Sequence, residues 1–509
     1  MLLHQFLEQT ARRLPDQVAL VCQGASYTYR QIDEAAARLG AAMQHRGVRR
    51  GDRVAIFLDN SVESVVSVYG TLKIGAVFMP VNALTKTSKL GYMLNDARAA
   101  CLVTHAALRG IWDEALARSP SVRACIVVGG EIGESGGDRF LSYGRATAIG
   151  GMMRIEPAID QDLASIIYTS GTTGDPKGVM LTHLNMVTAV NSVNGYLGYR
   201  EDDVILGVLP LAFSYGLYQV LIGFKVGAKV VLEQNFAFPV QVLEVMQRER
   251  VTVLPGVPTI FTLLTAMKTL SQYDLRALRL ITNAAAALSE EHIGQLRGLF
   301  PQASLYSMYG LTECKRVTYL PPDQLEVRPT SVGRGMPNQE VWLVDELGRR
   351  LPNGSTGELV IRGSHVMRGY WGKPAETAER LKPGPIPGEM VLYSGDIFRT
   401  DSEGYLYFVS RKEDIIKSRG EKVSPREVEN ALHSLPGVLE AAVVGVPDAM
   451  LGQAVKAFVV IKSGHRYSDK DIIKHCLTKL ENFMVPKHVE FVDSIPKTDT
   501  GKIKRTGLA

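Results

Sequence analysis

The stretch Tyr168–His183 runs Y-T-S-G-T-T-G-D-P-K-G-V-M-L-T-H and carries the equipment for holding a polyphosphate. Thr169, Ser170, Thr172 and Thr173 supply hydroxyl donors. Gly171 and Gly174 let the backbone turn its N–H groups inward around an anion, and Lys177 adds a mobile positive charge. The pattern is not a Walker A loop, which needs Gly before the Lys and Ser or Thr after it; here those places hold Pro176 and Gly178. Pro176 disfavours helix at Asp175, so the loop is not expected to run straight into a helix N-terminus. Further along, Tyr309-Gly310-Leu311-Thr312-Glu313 follows a strand-like run, Ala303–Ser307. An acidic side chain beside a triphosphate is a natural ligand for Mg²⁺, a hard cation that takes carboxylate and phosphate oxygens together.

In order and spacing these stretches resemble the AMP-forming adenylating enzymes: acyl- and aryl-CoA synthetases, adenylation domains of nonribosomal peptide synthetases, and firefly luciferase. The resemblance extends over nearly the whole chain. It implies that Thr312 contacts phosphate, that Glu313 holds the metal and that Tyr309 stacks near adenine. It assigns Asp396, in Tyr393-Ser394-Gly395-Asp396, to the ribose hydroxyls, with Arg411 on the other side of the sugar. The family usually has Gly before this Arg, where this chain has Ser410. Ile415–Val423, I-I-K-S-R-G-E-K-V, resembles the motif after the family's hinge. On that match Lys417 joins the catalytic set, Glu413 stands at the hinge, and Gly420 lines a tunnel for a pantetheine arm, where a missing Cβ lets a thiol chain pass. Lys502, in Pro496–Lys502, matches the lysine that reaches the active site from the small domain and stabilises charge between carboxylate and α-phosphate.

The acyl pocket departs from the family pattern. Phe213, Ser214 and Tyr215 lie in Leu209–Gly216, where acyl-CoA synthetases often have His at the Ser214 position and amino-acid-activating domains have Asp. A buried ammonium without a carboxylate partner is costly, so Ser214 implies an acid lacking an α-amino group. Ala284, Ala285 and Ala286 occupy a segment where relatives show a Gly-Gly pair. Their methyls are expected to narrow the channel toward a short, medium or flat aryl acid.

These groups need rigid elements to position them. Strand-like apolar runs (Ile166–Tyr168, Arg53–Phe57, Ala76–Pro80, Ala100–Thr104, Ala124–Val128, Lys229–Leu232, Val251–Gly256, Leu278–Thr282) alternate with helix-like segments, which predicts an α/β architecture. After about Val332 short alternating runs such as Gly357–Arg362 and Tyr405–Val409 predict a more β-rich subdomain, and Gly333-Arg334-Gly335 is taken as a turn. Ser424–Ser434 predicts a helix with Ser424 at the N-cap and Pro425 at its first position. Two β-like runs, Ala441–Val446 and Ala454–Ile461, and a helix near Asp469–Leu480 complete a small α+β domain. The expected organisation is a large α/β domain over 1–410, itself of several subdomains, and a small mobile α+β domain over 411–509 with its hinge at 411–414.

Bulk properties set the limits. At 509 residues the chain exceeds what one core usually serves. A net charge of +5 is too small over this length to argue for nucleic acid. Five dispersed cysteines without a C-x-x-C argue against a zinc cluster and for a reducing compartment, the cytoplasm. Met1–Arg13 predicts an amphipathic helix instead of a signal peptide, and no apolar run reaches membrane-spanning length. The expected function is an ATP- and Mg²⁺-dependent acid–thiol ligase that adenylates a fatty or aryl acid and passes the acyl group to CoA. The alternative acceptor is the phosphopantetheine of a holo acyl carrier protein, and a luciferase-like oxygenase is the minor alternative. Oligomeric state is left open.

Overall fold

The computed structural model describes residues 1–130, 139–148, 153–154, 156–169, 175–284, 288, 290–418, 421–448, 450–497, 503–505 and 507–508, without the side chains of Lys417 and Lys422. The chain divides into two compact units. One comprises Met1–Thr330, Gly335–Glu340 and Arg362–Leu392; the other comprises Ser331–Arg334, Val341–Ile361 and Tyr393–Ala509. The expected boundary at 411–414 lies inside the second unit.

In the first unit, one sheet runs in the order Gly369–Tyr370, Lys177–Thr182, Leu163–Thr169, Val77–Val81, Arg53–Phe57, Cys101–His105, Ala124–Val128, Phe140–Ser142. Its middle is parallel, and Val77–Val81 is buried along its whole length. That explains the continuous apolar run: a strand covered on both faces has no polar side to show. Phe57, Leu102, Trp112 and Leu116 pack in the core beside it. A second sheet runs in the order Ala25–Thr28, Val18–Cys22, Lys229–Leu232, Val204–Gly207, Val253–Gly256, Leu280–Asn283, Ser304–Tyr309, Thr318–Leu320. Its strands from Val18–Cys22 to Ser304–Tyr309 are all parallel. Parallel order aligns their carboxyl ends, so the segments after Gly207, Gly256, Asn283 and Tyr309 leave from one edge, where open α/β sheets carry their ligands. The amphipathic N-terminal segment forms the helix Gln5–Arg13, which buries Phe6, Leu7 and Thr10.

In the second unit, Met390–Thr400 pairs antiparallel with Leu406–Arg411, and Asp396 stands opposite Arg411. A further sheet runs Glu421–Val423, Ile416–Ser418, Gly452–Ile461, Val438–Asp448, with His488–Phe491 parallel to Gly452–Ile461. The helices Pro425–His433 and Asp469–Leu477 pack on it through Val428, Leu432, Ile472 and Cys476. Ser424 caps the first of them, accepting from the Glu427 N–H, as its position before Pro425 predicts. One expectation fails. Gly333-Arg334-Gly335 is no free turn: Val332 donates to the Leu406 carbonyl and Leu406 donates to the Gly333 carbonyl, each at 2.9 Å, and Arg334–Gly335 is a short strand. A distant strand had backbone partners to offer, which the local glycine pattern could not reveal.

Candidate functional site

The phosphate-loop sequence is bracketed by a hairpin. Leu163–Thr169 pairs antiparallel with Lys177–Thr182, with Thr169 opposite Lys177 and the Thr169 hydroxyl donating to the Lys177 carbonyl at 3.4 Å. The chain leaves Pro176 as strand and not as helix, as expected from proline's effect on Asp175. Gly178 is needed here because a Cβ would lie 2.7 Å from Ile166 and 3.2 Å from the Tyr168 ring. Ser170, Gly171, Thr172, Thr173 and Gly174 lie outside the described residues, as do Ala285, Ala286, Gly420, Lys502 and the Lys417 side chain.

Ser304–Tyr309 and Thr318–Leu320 flank a tight turn that carries Thr312 and Glu313. A Cβ on Gly310 would stand 2.0 Å from the Lys315 carbonyl, so only glycine lets the turn close. Lys315 itself holds φ +67°, a left-handed conformation that costs a non-glycine residue energy. Glu313 is pinned twice: its carbonyl accepts from Met367 N–H at 2.7 Å, and its Oε1 accepts from the Tyr370 hydroxyl at 2.8 Å. Lys177 Nζ stands 5.5 Å over the Tyr370 ring. Tyr370 thus brings the loop lysine and the turn carboxylate together. Burial and the neighbouring Glu313 push its phenol well above the ordinary range, so it stays a donor. Glu313 is a hard oxygen donor, and the described residues hold no cluster of three or more His, Cys, Asp or Glu that would form a complete metal cage. One carboxylate completed by phosphate oxygens is the usual protein contribution to a Mg²⁺ site, and Glu313 fits it.

Of the residues expected in the acyl pocket, Phe213 precedes the helix Ser214–Val226 and Ser214 opens it, both half-buried. A Cβ on Gly216 would strike the Leu209 and Pro210 carbonyls at 2.4 Å, so the helix starts hard against that segment. Asn60 fixes the segment, donating to the Leu209 carbonyl at 3.1 Å and accepting from Leu211 N–H at 2.8 Å. The Tyr215 hydroxyl reaches Thr282, donating to its carbonyl at 2.8 Å. This couples the helix to the strand end before Ala284, which is buried. Burial pushes the Tyr215 phenol up to about 12. Two residues from the turn meet this helix: Arg316 lies 4.4 Å over the Tyr215 ring and Lys315 Nζ 5.0 Å over the Tyr218 ring. Burial pushes the Lys315 ammonium down to about 7.

In the second unit, Arg411 Nε stands 3.8 Å from Asp396 Oδ1, and Arg411 also pairs with Glu413 at 3.5 Å. Asp396 is buried, and its N–H donates to Ser394 Oγ at 3.1 Å. Glu358 supports the same corner by accepting from Gly395 N–H at 3.0 Å and from Lys412 Nζ at 2.8 Å. Asp414 pairs with Arg505 at 3.1 Å, and Arg505 with the buried Glu429 at 2.6 Å. Burial raises both carboxyls, while Arg505 pulls them back.

Several contributors are not among the expected site residues: Tyr370, Asn60, Glu358, Lys315 and Arg316. Tyr370 lies in the short buried strand Gly369–Tyr370, and its aromatic side chain was a weak strand signal in the sequence. Asn60, Glu358 and the two cations carry no comparable mark.

Residues 7–371 match the family described as AMP-binding enzyme, and residues 427–502 match the AMP-binding enzyme C-terminal domain. The chain is 32% identical to a long-chain-fatty-acid–CoA ligase of Bacillus subtilis over 539 residues, spanning 99% of this chain and 94% of that one. It is 31% identical to 4-coumarate-CoA ligase 1 of Narcissus pseudonarcissus over 522 residues, spanning 99% and 93%. Its fold superimposes with a TM-score of 0.90 and 29% identity on an anthranilate CoA ligase, AuaEII, solved with anthranoyl-AMP, covering 100% of this chain and 96% of the other. No helix among the described residues is long and apolar enough to cross a membrane. With the phosphate-loop hairpin, the carboxylate turn and both family matches in place along one chain, this protein belongs to the family of AMP-binding, adenylate-forming enzymes.

Proposed function

We propose that the protein is an ATP-dependent acid–CoA ligase acting on a fatty or aryl acid without an α-amino group. The observation that supports this most directly is the convergence of Lys177, Tyr370 and Glu313 beside the phosphate-loop hairpin. It gives a cation and a metal-binding carboxylate in one place, and phosphoryl-type transfer asks for positioning and charge stabilisation more than for acid–base groups. In the first half-reaction a carboxylate oxygen of the acid attacks the α-phosphorus of ATP. The bond to the bridging oxygen breaks, and pyrophosphate leaves. In the second, the CoA thiol gives up its proton, its sulfur attacks the acyl carbon, and AMP leaves with the carboxyl oxygen.

In this reading Thr169, the loop hydroxyls and glycines, Lys177 and Thr312 hold the phosphates, and Tyr309 faces the adenine. Asp396 and Arg411 hold the ribose; their pairing opposite one another suits two hydroxyls on neighbouring carbons. Mg²⁺, when bound, neutralises phosphate charge. Glu313 would hold it, and Tyr370 keeps that carboxylate oriented. Lys502 and Lys417 stabilise charge at the reacting centre, Glu413 serves as hinge, and Gly420 lets the thiol arm pass. Phe213, Ser214, Tyr215 and Ala284–Ala286 line the acyl side.

Pyrophosphate release across fatty, aryl and amino acids, repeated with CoA or a holo acyl carrier protein, tests the proposal. Turnover of non-amino acids with CoA is expected. Release with no acid, or with α-amino acids only, would refute it, and acceleration by the carrier protein alone would move the acceptor to phosphopantetheine. Lys502→Ala should slow adenylation by about 3–4 kcal/mol in barrier yet spare thioester formation from supplied acyl-AMP.

A further inference from the structure

The turn that carries Glu313 ends in two cations for which adenylation and thiol transfer have no use. Lys315 and Arg316 are both buried, at 6% and 7% exposure. Lys315 Nζ has no hydrogen-bond partner, and among the described residues no carboxylate forms an ion pair with either side chain. Each instead lies over a ring of the helix Ser214–Val226, Lys315 over Tyr218 and Arg316 over Tyr215. Those tyrosines are three residues apart and so share one helix face. It is the face next to Ser214, on the acyl side. The remaining wall is flat and aromatic: Tyr196 stacks on Tyr319 with centroids 3.9 Å apart and planes within 5°. Glu313, the nearest acid in sequence, is engaged by the Tyr370 hydroxyl.

A buried cation keeps its charge only when an anion compensates the lost water. Among the described residues no carboxylate pairs with either cation, and both lie against the helix that opens with Ser214, which the proposed function puts beside the acid. An arginine fork beside a lysine suits a carboxylate, which it can bind through two parallel hydrogen bonds. We infer that the acid activated by this protein carries a second, distal carboxylate, held by Lys315 Nζ and the Arg316 guanidinium. The inference rests on the proposed ligase function and names the substrate class of that site. It also sharpens the meaning of Ser214: with two cations on the acyl side, an ammonium on the substrate would be repelled as well as unpaired.

The test compares short aliphatic and benzene dicarboxylic acids with their mono-amides, each as kcat/KM for pyrophosphate release. The wild-type protein is expected to favour the diacid by about 100-fold, since a site built for a polar group rejects the analogue that leaves it unpaired. Lys315→Met should lower that ratio at least about tenfold, and Lys315→Arg should restore part of it. Mono-amides used as well as diacids would overturn the inference. So would an unchanged ratio in a folded Lys315→Met protein, or a rise confined to the KM for ATP, which would make a phosphate the missing anion. If Lys315→Met does not fold, the wild-type ratio and the Arg316→Gln ratio decide. Turnover of monocarboxylic acids alone removes the second carboxylate and leaves the ligase function standing, whereas no pyrophosphate with any acid removes both.

Discussion

Two lysines of the first unit are almost equally hidden, and they are treated in opposite ways. Lys73 ends the helix Val62–Lys73 with its side chain 4% exposed. Its ammonium meets Glu8 Oε1 at 2.6 Å and Asp33 Oδ1 at 2.9 Å. The Glu8 contact is a true hydrogen bond. The Asp33 contact is close enough for an ion pair but not aligned as one. Among the described residues no carboxylate bonds or pairs with Lys315, whose ammonium rests on a tyrosine ring. Where a buried lysine serves the fold, this chain has placed anions around it. The lack of a paired anion at Lys315 among the described residues is what the inferred second carboxylate would answer.

The largest expected effect breaks the paired case. Lys73→Met strands Glu8 and Asp33, whose side chains are 21% and 28% exposed. The loss should be about 2–4 kcal/mol, below the full cost of a broken buried pair because water still reaches both acids. Thermal unfolding should show a clear fall in Tm. Lys315→Met, by contrast, should be neutral or stabilising. A fall of equal size would mean that Lys315 is a structural cation too.

The second prediction uses pH. The Lys315 ammonium titrates near 7 when folded and near the ordinary lysine value, about 10.4, when unfolded. Between those values the unfolded chain binds the extra proton, so stability should rise with pH, by up to about 1.4 kcal/mol per unit. The groups facing Lys315 are Tyr218, Arg316, Cys314 and Glu313. Subtracting the pH profile of Lys315→Met isolates the lysine. A flat difference across pH 7–10 would show that its amine is paired in solution.

A third experiment tests the phosphate side of the same turn. Tyr370→Phe removes the hydroxyl that orients Glu313. Loss of such a support should cost about 10-fold in metal-dependent activity, read as a higher Mg²⁺ requirement for pyrophosphate release. The diacid-to-mono-amide ratio should stay constant, because Lys315 and Arg316 lie over Tyr218 and Tyr215 and not over Tyr370. Movement of both readouts together would show that the turn shifts as a whole. The smallest effect belongs to a pair in the second unit with one exposed and one buried partner. Lys412, with its side chain 58% exposed, meets Glu358 at 2.8 Å. Lys412→Ala should change stability by no more than about 0.5–1 kcal/mol, within a degree or two of Tm.

Much of the framework was legible from local pattern. Arg53–Phe57, Ala124–Val128 and Lys229–Leu232 form strands at the expected residues, because short β-branched runs between turns have no other stable use. Elsewhere the ends moved by a residue or two. The run expected over Ala76–Pro80 is strand over Val77–Val81, since strand ends depend on the neighbouring strand's register. The small domain's helix starts behind Ser424 because the cap and Pro425 are local chemistry. Tyr370 was not expected. It bonds Glu313 across 57 residues, a distance over which sequence spacing says nothing.

What the sequence determined by itself is whatever short-range physics controls: strand and helix identity, the glycine-rich loop before Lys177, the glycine that closes the turn to Glu313, and the start of a helix at Ser214. Each follows from a residue's own backbone preferences or from its neighbours within a few positions. Only the tertiary structure decided that Lys315 and Arg316 are buried, and that no carboxylate among the described residues pairs with them. Burial is a property of the elements packed around a residue, here the helix Ser214–Val226 about a hundred positions earlier. A Lys-Arg pair in a sequence has the same composition whether water or an aromatic wall surrounds it, and the surroundings set its charge, its cost and its partner.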